Sequence, residues 1–265
     1  MHFSFVARTK EFAHRTVRMH RAYRARRVAP PNAPAFTCPC CEYKGIFIKA
    51  GAPFIERRDA QCPNCGAFER HRLQANVVRH LFQTFVPEDK DILHFAPEPF
   101  FARIFKRRFR NYTTCDISQG GVDLKADMRD LPLNDASFDF VFASDVIEYI
   151  KDDCRAIREI HRILRPSGIA LLPVPVVCER TVEYPVPEQR EARGHVRAPG
   201  LDYFDRYRAV FAEVKLYTSD DFPAEYQLHV YEDRTAFPTS RSSPLRPPMA
   251  GARHLTYVPV CMRTR

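Results

Sequence analysis

The residue types best placed for chemistry are four cysteines at fixed spacing and three acids that follow apolar runs. Cys38 with Cys41, and Cys62 with Cys65, form C-x₂-C-x₂₀-C-x₂-C. Each pair can turn into a knuckle that sets two thiolates on one ion, and a tetrahedral set of four suits Zn²⁺. Cys40 sits inside the first pair, but only Cys38 with Cys41 gives the two-residue gap. A closed set of four leaves no open coordination position, so the expected role is structural. Gly66 fits the tight turn after the second knuckle. Position 42 is Glu, so the first turn is expected to differ. The acids are Asp116, Asp127 and Asp145, each just past a short apolar run. In open α/β sheets those strand ends are where ligands bind.

The elements that must position these residues follow from periodicity. Between residues 91 and 175, short apolar runs alternate with helical segments, a βαβαβ pattern that calls for a parallel sheet. The runs are residues 92–95, 112–116, 138–143 and 168–177. A last antiparallel edge strand is expected at residues 257–262. A helix is expected from Glu69 to about Phe85, with Leu73, Val77, Leu81 and Phe85 on its apolar face. Residues 45–49 and 53–56 read as a small hairpin between the cysteine pairs. The layout is a basic leader helix and Pro-rich linker over 1–34, a zinc ribbon and connecting helix over 35–86, and an α/β domain over 87–265.

The net charge of +9 is uneven. Residues 1–30 carry +7, residues 31–86 carry +3 and the remainder −1. A near-neutral main domain argues against a broad phosphate-gripping face. The Arg-rich leader has the pattern of a basic amphipathic helix, suited to packing on the next domain or to touching an acidic surface. No apolar run approaches the ~20 residues of a bilayer span, and no signal-peptide core precedes a cleavage site. The expected compartment is the cytoplasm. No motif bears on oligomeric state.

The order of these motifs resembles the class I S-adenosylmethionine (SAM)-dependent methyltransferases. The likeness covers roughly residues 91–177, and its most specific part is Phe138-Asp-Phe-Val-Phe-Ala-Ser, a helix, then Leu164-Arg-Pro-Ser-Gly. A zinc-ribbon subgroup (methyltransferase type 11-like) also carries Glu-Arg-His-Arg and Leu-His-Phe-Ala-Pro-Glu. Here these stand at 69–72 and 93–98. The resemblance implies a Rossmann-like, seven-stranded, mostly parallel sheet, with SAM as methyl donor and a structural Zn²⁺ in the ribbon.

It also implies a site. The methionine part of SAM would lie on backbone at Phe95 and Ala96, where the superfamily's glycines are absent and prolines fix the turn instead. Glu98 would accept from the methionine ammonium, or else complement a helix dipole. Asp116 would take the ribose hydroxyls, Asp127 the adenine amine, and Met128 would lie against the ring. Ser144 and Asp145 would face the methyl group. Asp145 is the candidate base, although Asp145-x-x-Glu148 also reads as a helix-capping pair. His195 is a second catalytic candidate. Arg197, like His195, is a candidate for the substrate or a second base, and one of Arg70, His71 and Arg72 could reach the SAM carboxylate or the substrate, Arg72 being taken as the substrate candidate.

Three functions fit this pattern. The first is methyl transfer to a small metabolite or glycan precursor. The second is RNA methylation, with ribbon and leader gripping phosphates. The third is a non-catalytic scaffold that kept the fold.

Overall fold

The computed structural model describes residues 32–51, 56–186, 194–233 and 252–264. The leader expected over residues 1–30 lies outside them.

The chain begins with β1 (Phe36–Thr37) and β2 (Lys44–Gly45), an antiparallel pair flanking the first cysteine knuckle. β3 (Ile48–Ala50) then pairs with β4 (Glu56–Gln61). Of the second strand expected at 53–56, residues 53–55 lie outside the described residues, and β4 runs on from Glu56 to Gln61. The sequence there is Glu-Arg-Arg-Asp-Ala-Gln, and only Ala60 is buried. Such a strand leaves almost no hydropathy signal. Helix α1 (Glu69–Leu81) buries Leu73 and Val77 completely. It stops short of Phe85, but Phe82 and Phe85 still pack their rings on Phe109 and Phe140.

The α/β part follows as β5 (Asp91–Phe95), α2 (Pro99–Arg108), β6 (Asn111–Asp116), β7 (Leu124–Lys125), β8 (Phe138–Ala143), α3 (Asp153–Ile163) and β9 (Leu164–Leu171). A small pair, β10 (Val182–Glu183) and β11 (Arg197–Ala198), precedes α4 (Phe204–Arg208) and β12 (Glu213–Thr218). The described chain closes with β13 (Val230–Asp233), β14 (Ala252–His254) and β15 (Tyr257–Met262).

The central sheet has seven strands in the order β12-β15-β9-β8-β5-β6-β7. The five from β9 to β7 run parallel, while β15 is antiparallel to both its neighbours. This is the mostly parallel, Rossmann-like sheet expected. One detail is corrected: β15 is antiparallel but interior, and the edge is β12. Four consecutive residues of β15, Val258–Cys261 by number 258–261, are buried, as an interior strand covered on both faces requires. β12 instead alternates and turns Glu213 and Lys215 outward, which protects an edge from further pairing.

Alternation along β5 and β8 divides the core. Leu93, Val141 and Ala143 face α3 and α4, with Ile157, Ile160, Tyr203 and Tyr207. Ile92, Phe140 and Phe142 face α1 and α2, in a cluster rich in phenylalanine. Phe101 packs tilted on Phe142 at 4.6 Å between ring centroids, and Phe105 stands edge-on to Phe142 at 5.2 Å. A second sheet, β14-β13-β4-β3, draws strands from both sides of residue 86. No described helix is long and apolar enough to cross a membrane.

Candidate active site

A cavity of about 530 Å³ opens at the carboxyl ends of β5, β6, β7 and β8. The chain leaves β5 toward β6 on one side and reaches β8 on the other. Hence the cavity sits where strand order reverses, the usual crevice of open α/β sheets. Phe95, Ala96, Asp116, Asp127, Met128 and Asp145 all line it.

Ala96 follows the strand in the left-handed region, at φ +45, and its amide donates to the Cys115 carbonyl at 2.9 Å. The turn thus uses the backbone conformation glycine would supply, borne by an alanine. Of the two prolines that follow, Pro99 serves as the first residue of α2, with Glu98 at the N-cap position. The Glu98 side chain makes no cap bond and turns to His94 Nε2 at 3.1 Å. His94 is fully buried and also meets the Tyr112 hydroxyl at 3.0 Å, so it is a satisfied core histidine.

Asp116 Oδ1 accepts from the amides of Ser118 and Gln119, both at 2.7 Å, and from the Ser118 hydroxyl. Its Oδ2 accepts nothing from the described residues. Burial pushes this carboxyl up, but the two amides and the hydroxyl together outweigh it and hold it below the usual range. An ionised carboxylate with one free oxygen on a cavity wall fits a vicinal diol, as a ribose offers. Asp127 is held below the usual range chiefly by Arg129, whose guanidinium grips it from Nε at 3.0 Å. Met128 is buried at its side.

Asp145 occupies the left-handed region at φ +51, and its amide donates to the Pro173 carbonyl. Its carboxylate forms an ion pair with Arg70. Burial raises its pKa, with Arg70 opposing and Glu98 adding to the rise. The capping pair expected of Asp145 and Glu148 does not form. Helix α3 is capped by Asp152, which accepts from the Arg155 amide. Glu148 is instead wholly buried, with neither oxygen hydrogen-bonded. Its pKa stands well above the usual range, through burial first and the neighbouring Asp145 second.

Four candidate residues take other positions. Ser144 is buried and does not line the cavity; its hydroxyl donates to Gln74 Oε1 at 3.1 Å. Arg72 is fully buried and donates to the carbonyls of Ala60 at 2.7 Å, Ala67 at 3.0 Å and Tyr226 at 3.0 Å, and also to Gln227. With its donors so used, it is a structural staple and not a substrate contact. Arg197 is likewise buried, donating to Glu183 and to the carbonyls of Ile147, Ile150 and Lys151. It braces the cavity rim and does not face the hollow. His195 meets the Tyr149 hydroxyl at 2.7 Å, and Tyr149, not His195, lines the cavity. Sequence reasoning passed over Arg70 as a specific partner of Asp145, because the two lie 75 positions apart and only folding joins them.

The four predicted cysteines converge, with all sulfurs within 4.8 Å of one another. Cys38 lies 3.6 Å from Cys65, and Cys41 lies 3.7 Å from Cys62. A tetrahedron with Zn–S near 2.3 Å needs sulfurs about 3.8 Å apart, so the set fits such an ion. The two knuckles match in backbone: Glu42 N donates to Cys38 O at 2.8 Å, and Gly66 N to Cys62 O at 2.9 Å. Both turn residues are left-handed, Glu42 at φ +61 and Gly66 at φ +82. The first turn therefore does not differ; Glu42 bears the strain that Gly66 avoids.

Comparison with known proteins agrees with this geometry. Residues 98–172 match the family model described as a methyltransferase domain. The chain is 30% identical over 83 residues to malonyl-[acyl-carrier protein] O-methyltransferase of Serratia marcescens. It is 42% identical over 52 residues to a Mycobacterium tuberculosis protein named a probable S-adenosylmethionine-dependent methyltransferase. Those stretches span 32% and 19% of the two relatives' lengths, and 27% and 20% of this chain. A SAM-dependent methyltransferase structure from Mesorhizobium loti aligns over 72% of this chain and 98% of its own, at 16% identity and a TM-score of 0.49. The segment from Glu98 to Leu172 is thus similar to a methyltransferase domain, set within a Rossmann-like sheet.

Proposed function

We propose that the chain transfers a methyl group from SAM to a small metabolite or glycan precursor. The observation that carries this is the half-satisfied Asp116 carboxylate on the wall of the switch-point cavity. SAM supplies an electrophilic methyl group on a positively charged sulfur. Asp116 would hold the ribose hydroxyls, Met128 would cover the adenine, and Asp127, steadied by Arg129, would accept from its amine. The backbone at Phe95 and Ala96 would carry the methionine part. Glu98 would reach its ammonium, while Ser144 would act only by orienting Gln74. Asp145 is positioned to take a proton from an acceptor hydroxyl, where a base is needed. His195 would act on the rim through Tyr149. The Cys38, Cys41, Cys62 and Cys65 set would hold a structural Zn²⁺.

Calorimetry with S-adenosylhomocysteine tests the reading. Wild type should bind, and Asp116→Ala should bind at least about tenfold more weakly, given ~1.5–3 kcal/mol for hydrogen bonds to a charged group. No heat from wild type would leave only the scaffold reading.

RNA as acceptor has one observation behind it. A groove of about 520 Å³ between the ribbon, α1 and α2 is lined by Arg79, Arg103, Arg107 and Arg108. If RNA binds there, affinity falls steeply with added salt, and a flat response dismisses it.

A further inference from the structure

A second cavity, of about 200 Å³, shares with the first a single lining residue, Asp145. It lies between the segment after β9, the first turns of α1, and strands of the ribbon-linked sheet. Its wall holds polar atoms at Glu69 and Gln74 that have no hydrogen-bond partner among the described residues. Glu69 is fully buried and neither carboxylate oxygen is hydrogen-bonded; its nearest cation is Arg57, at 3.5 Å. Gln74 is also fully buried. Ser144 fixes its Oε1, which leaves the Nε2 donor without a partner. A buried polar atom left unpaired costs ~1–3 kcal/mol, and native folds keep few of them. Three such atoms around one hollow call for an occupant.

The chemistry of that occupant follows from what is missing. Gln74 Nε2 needs an acceptor, while Glu69 needs donors. A hydroxyl can be either. Two acids on the wall face arginines, Glu69 by Arg57 and Asp145 by Arg70, and Glu232 and His254 complete the polar lining; the atoms left to satisfy at Glu69 and Gln74 call for hydroxyls rather than for a charged head group. The rest of the lining includes Pro173, Val174 and Tyr257, which suit the C–H face of a ring. A cavity of ~150 Å³ accepts benzene, so this one has room for a single hydroxylated six-membered ring.

Resting on the methyltransferase reading above, we infer that this cavity takes the acceptor, and that the acceptor presents a neutral polyhydroxylated ring, a sugar or cyclitol. One ring hydroxyl faces Asp145, at the junction with the donor cavity. Its oxygen forms the new bond to the methyl carbon. The methyl–sulfur bond breaks, its electron pair stays on sulfur, and the charge there is neutralised. The hydroxyl proton passes to the Asp145 carboxylate, which Arg70 holds in place. The helix that follows the ribbon thus supplies acceptor contacts, and the strand ends supply donor contacts.

The test uses the full chain saturated with S-adenosylhomocysteine, whose binding is measured first by calorimetry. Methyl α-D-glucopyranoside, methyl α-D-mannopyranoside, methyl α-L-rhamnopyranoside and myo-inositol are then offered as probes in saturation-transfer NMR. Inorganic phosphate and ethanolamine compete as charged probes. At least one ring should bind, and Gln74→Leu and Glu69→Gln should each weaken it about tenfold or more. Both variants should keep wild-type affinity for S-adenosylhomocysteine, which also reports that they fold. Should Gln74→Leu not fold, the near-isosteric Glu69→Gln carries the test. Lys215→Ala, far along β12, should change nothing. If the nucleoside binds but no ring does, or the charged probes displace it, or both variants bind rings as wild type, the acceptor assignment is overturned and the donor site stands. If the nucleoside itself fails to bind wild type, the underlying reading falls with it.

Discussion

At the scale of single residues, the site turns on two carboxyls with different tasks, one half-buried and one fully buried. Asp145 has a partner in Arg70 and a place on both cavities. Asp145→Asn should keep nucleoside binding and lower kcat by ~10²–10⁴, the usual contribution of a general base. Burial raises the Asp145 pKa, so the acid limb of the rate profile should lie above that of an ordinary aspartate. Arg70 opposes that rise, so Arg70→Ala should move the limb to still higher pH; a limb that stays put removes Asp145 from the base role. Glu148 differs, being buried with no hydrogen-bond partner for its carboxyl among the described residues. Its folded pKa lies well above its unfolded value of ~4.3. Between those two values the folded state holds the extra proton, so stability falls as pH rises through that window. Glu148→Gln removes the ionisation. It should raise Tm at pH 7–8 and converge on wild type near pH 4; equal melting at both pH values would show that Glu148 is not held protonated.

At the scale of elements, the strongest signals in the chain were those that depend on neighbours in sequence. Paired cysteines, short apolar runs and the helix over Leu73 and Val77 are local, and they fell where their spacing put them. Signals that depend on a distant partner were invisible. Arg72 looked like a functional arginine beside Arg70, yet it is Arg70 that reaches the site. Arg72 bonds carbonyls up to 155 positions away. Arg197 and Ser144 misled for the same reason, since a polar residue's partner cannot be read along one dimension. The run of β4 on to Gln61 was missed because its residues are charged, and β15 was set at the edge because strand order is a property of the sheet. The staple itself makes a prediction. Arg72→Met would take their arginine donor from the carbonyls of Ala60 and Gln227, at ~1–3 kcal/mol for each buried group, while the Ala67 carbonyl keeps the Cys62 amide. Thermal unfolding should show a loss of at least ~2 kcal/mol, and a variant that melts as wild type would show those carbonyls to be satisfied otherwise.

At the scale of the molecule, the ribbon and the α/β sheet are wired together at several points. β4 pairs with β13, which arrives from the far end of the chain. Arg72 joins the second knuckle to the turn at Tyr226 and Gln227. Helix α1 leaves the ribbon and lays Leu73, Val77 and Val78 into the same aromatic core as Phe101 and Phe142. With so many contacts crossing residue 86, the ribbon cannot open without exposing part of that core. The thiolate set should then govern more than its own knuckles, because metal that binds only the folded form adds its binding energy to folding. The metal-loaded chain should melt in one transition. A strong chelator should shift that whole transition downward by several degrees, since ~1 kcal/mol corresponds to ~2–4 °C at this size. Acceptor contacts at Glu69 and Gln74 sit on α1, whereas Asp116 sits on β6 with no part of the ribbon beside it. Below the melt, then, metal removal should weaken ring binding before it weakens nucleoside binding. Two separate melting transitions, or equal loss at both sites, would mean that the ribbon and the sheet unfold independently of the bonds that appear to join them.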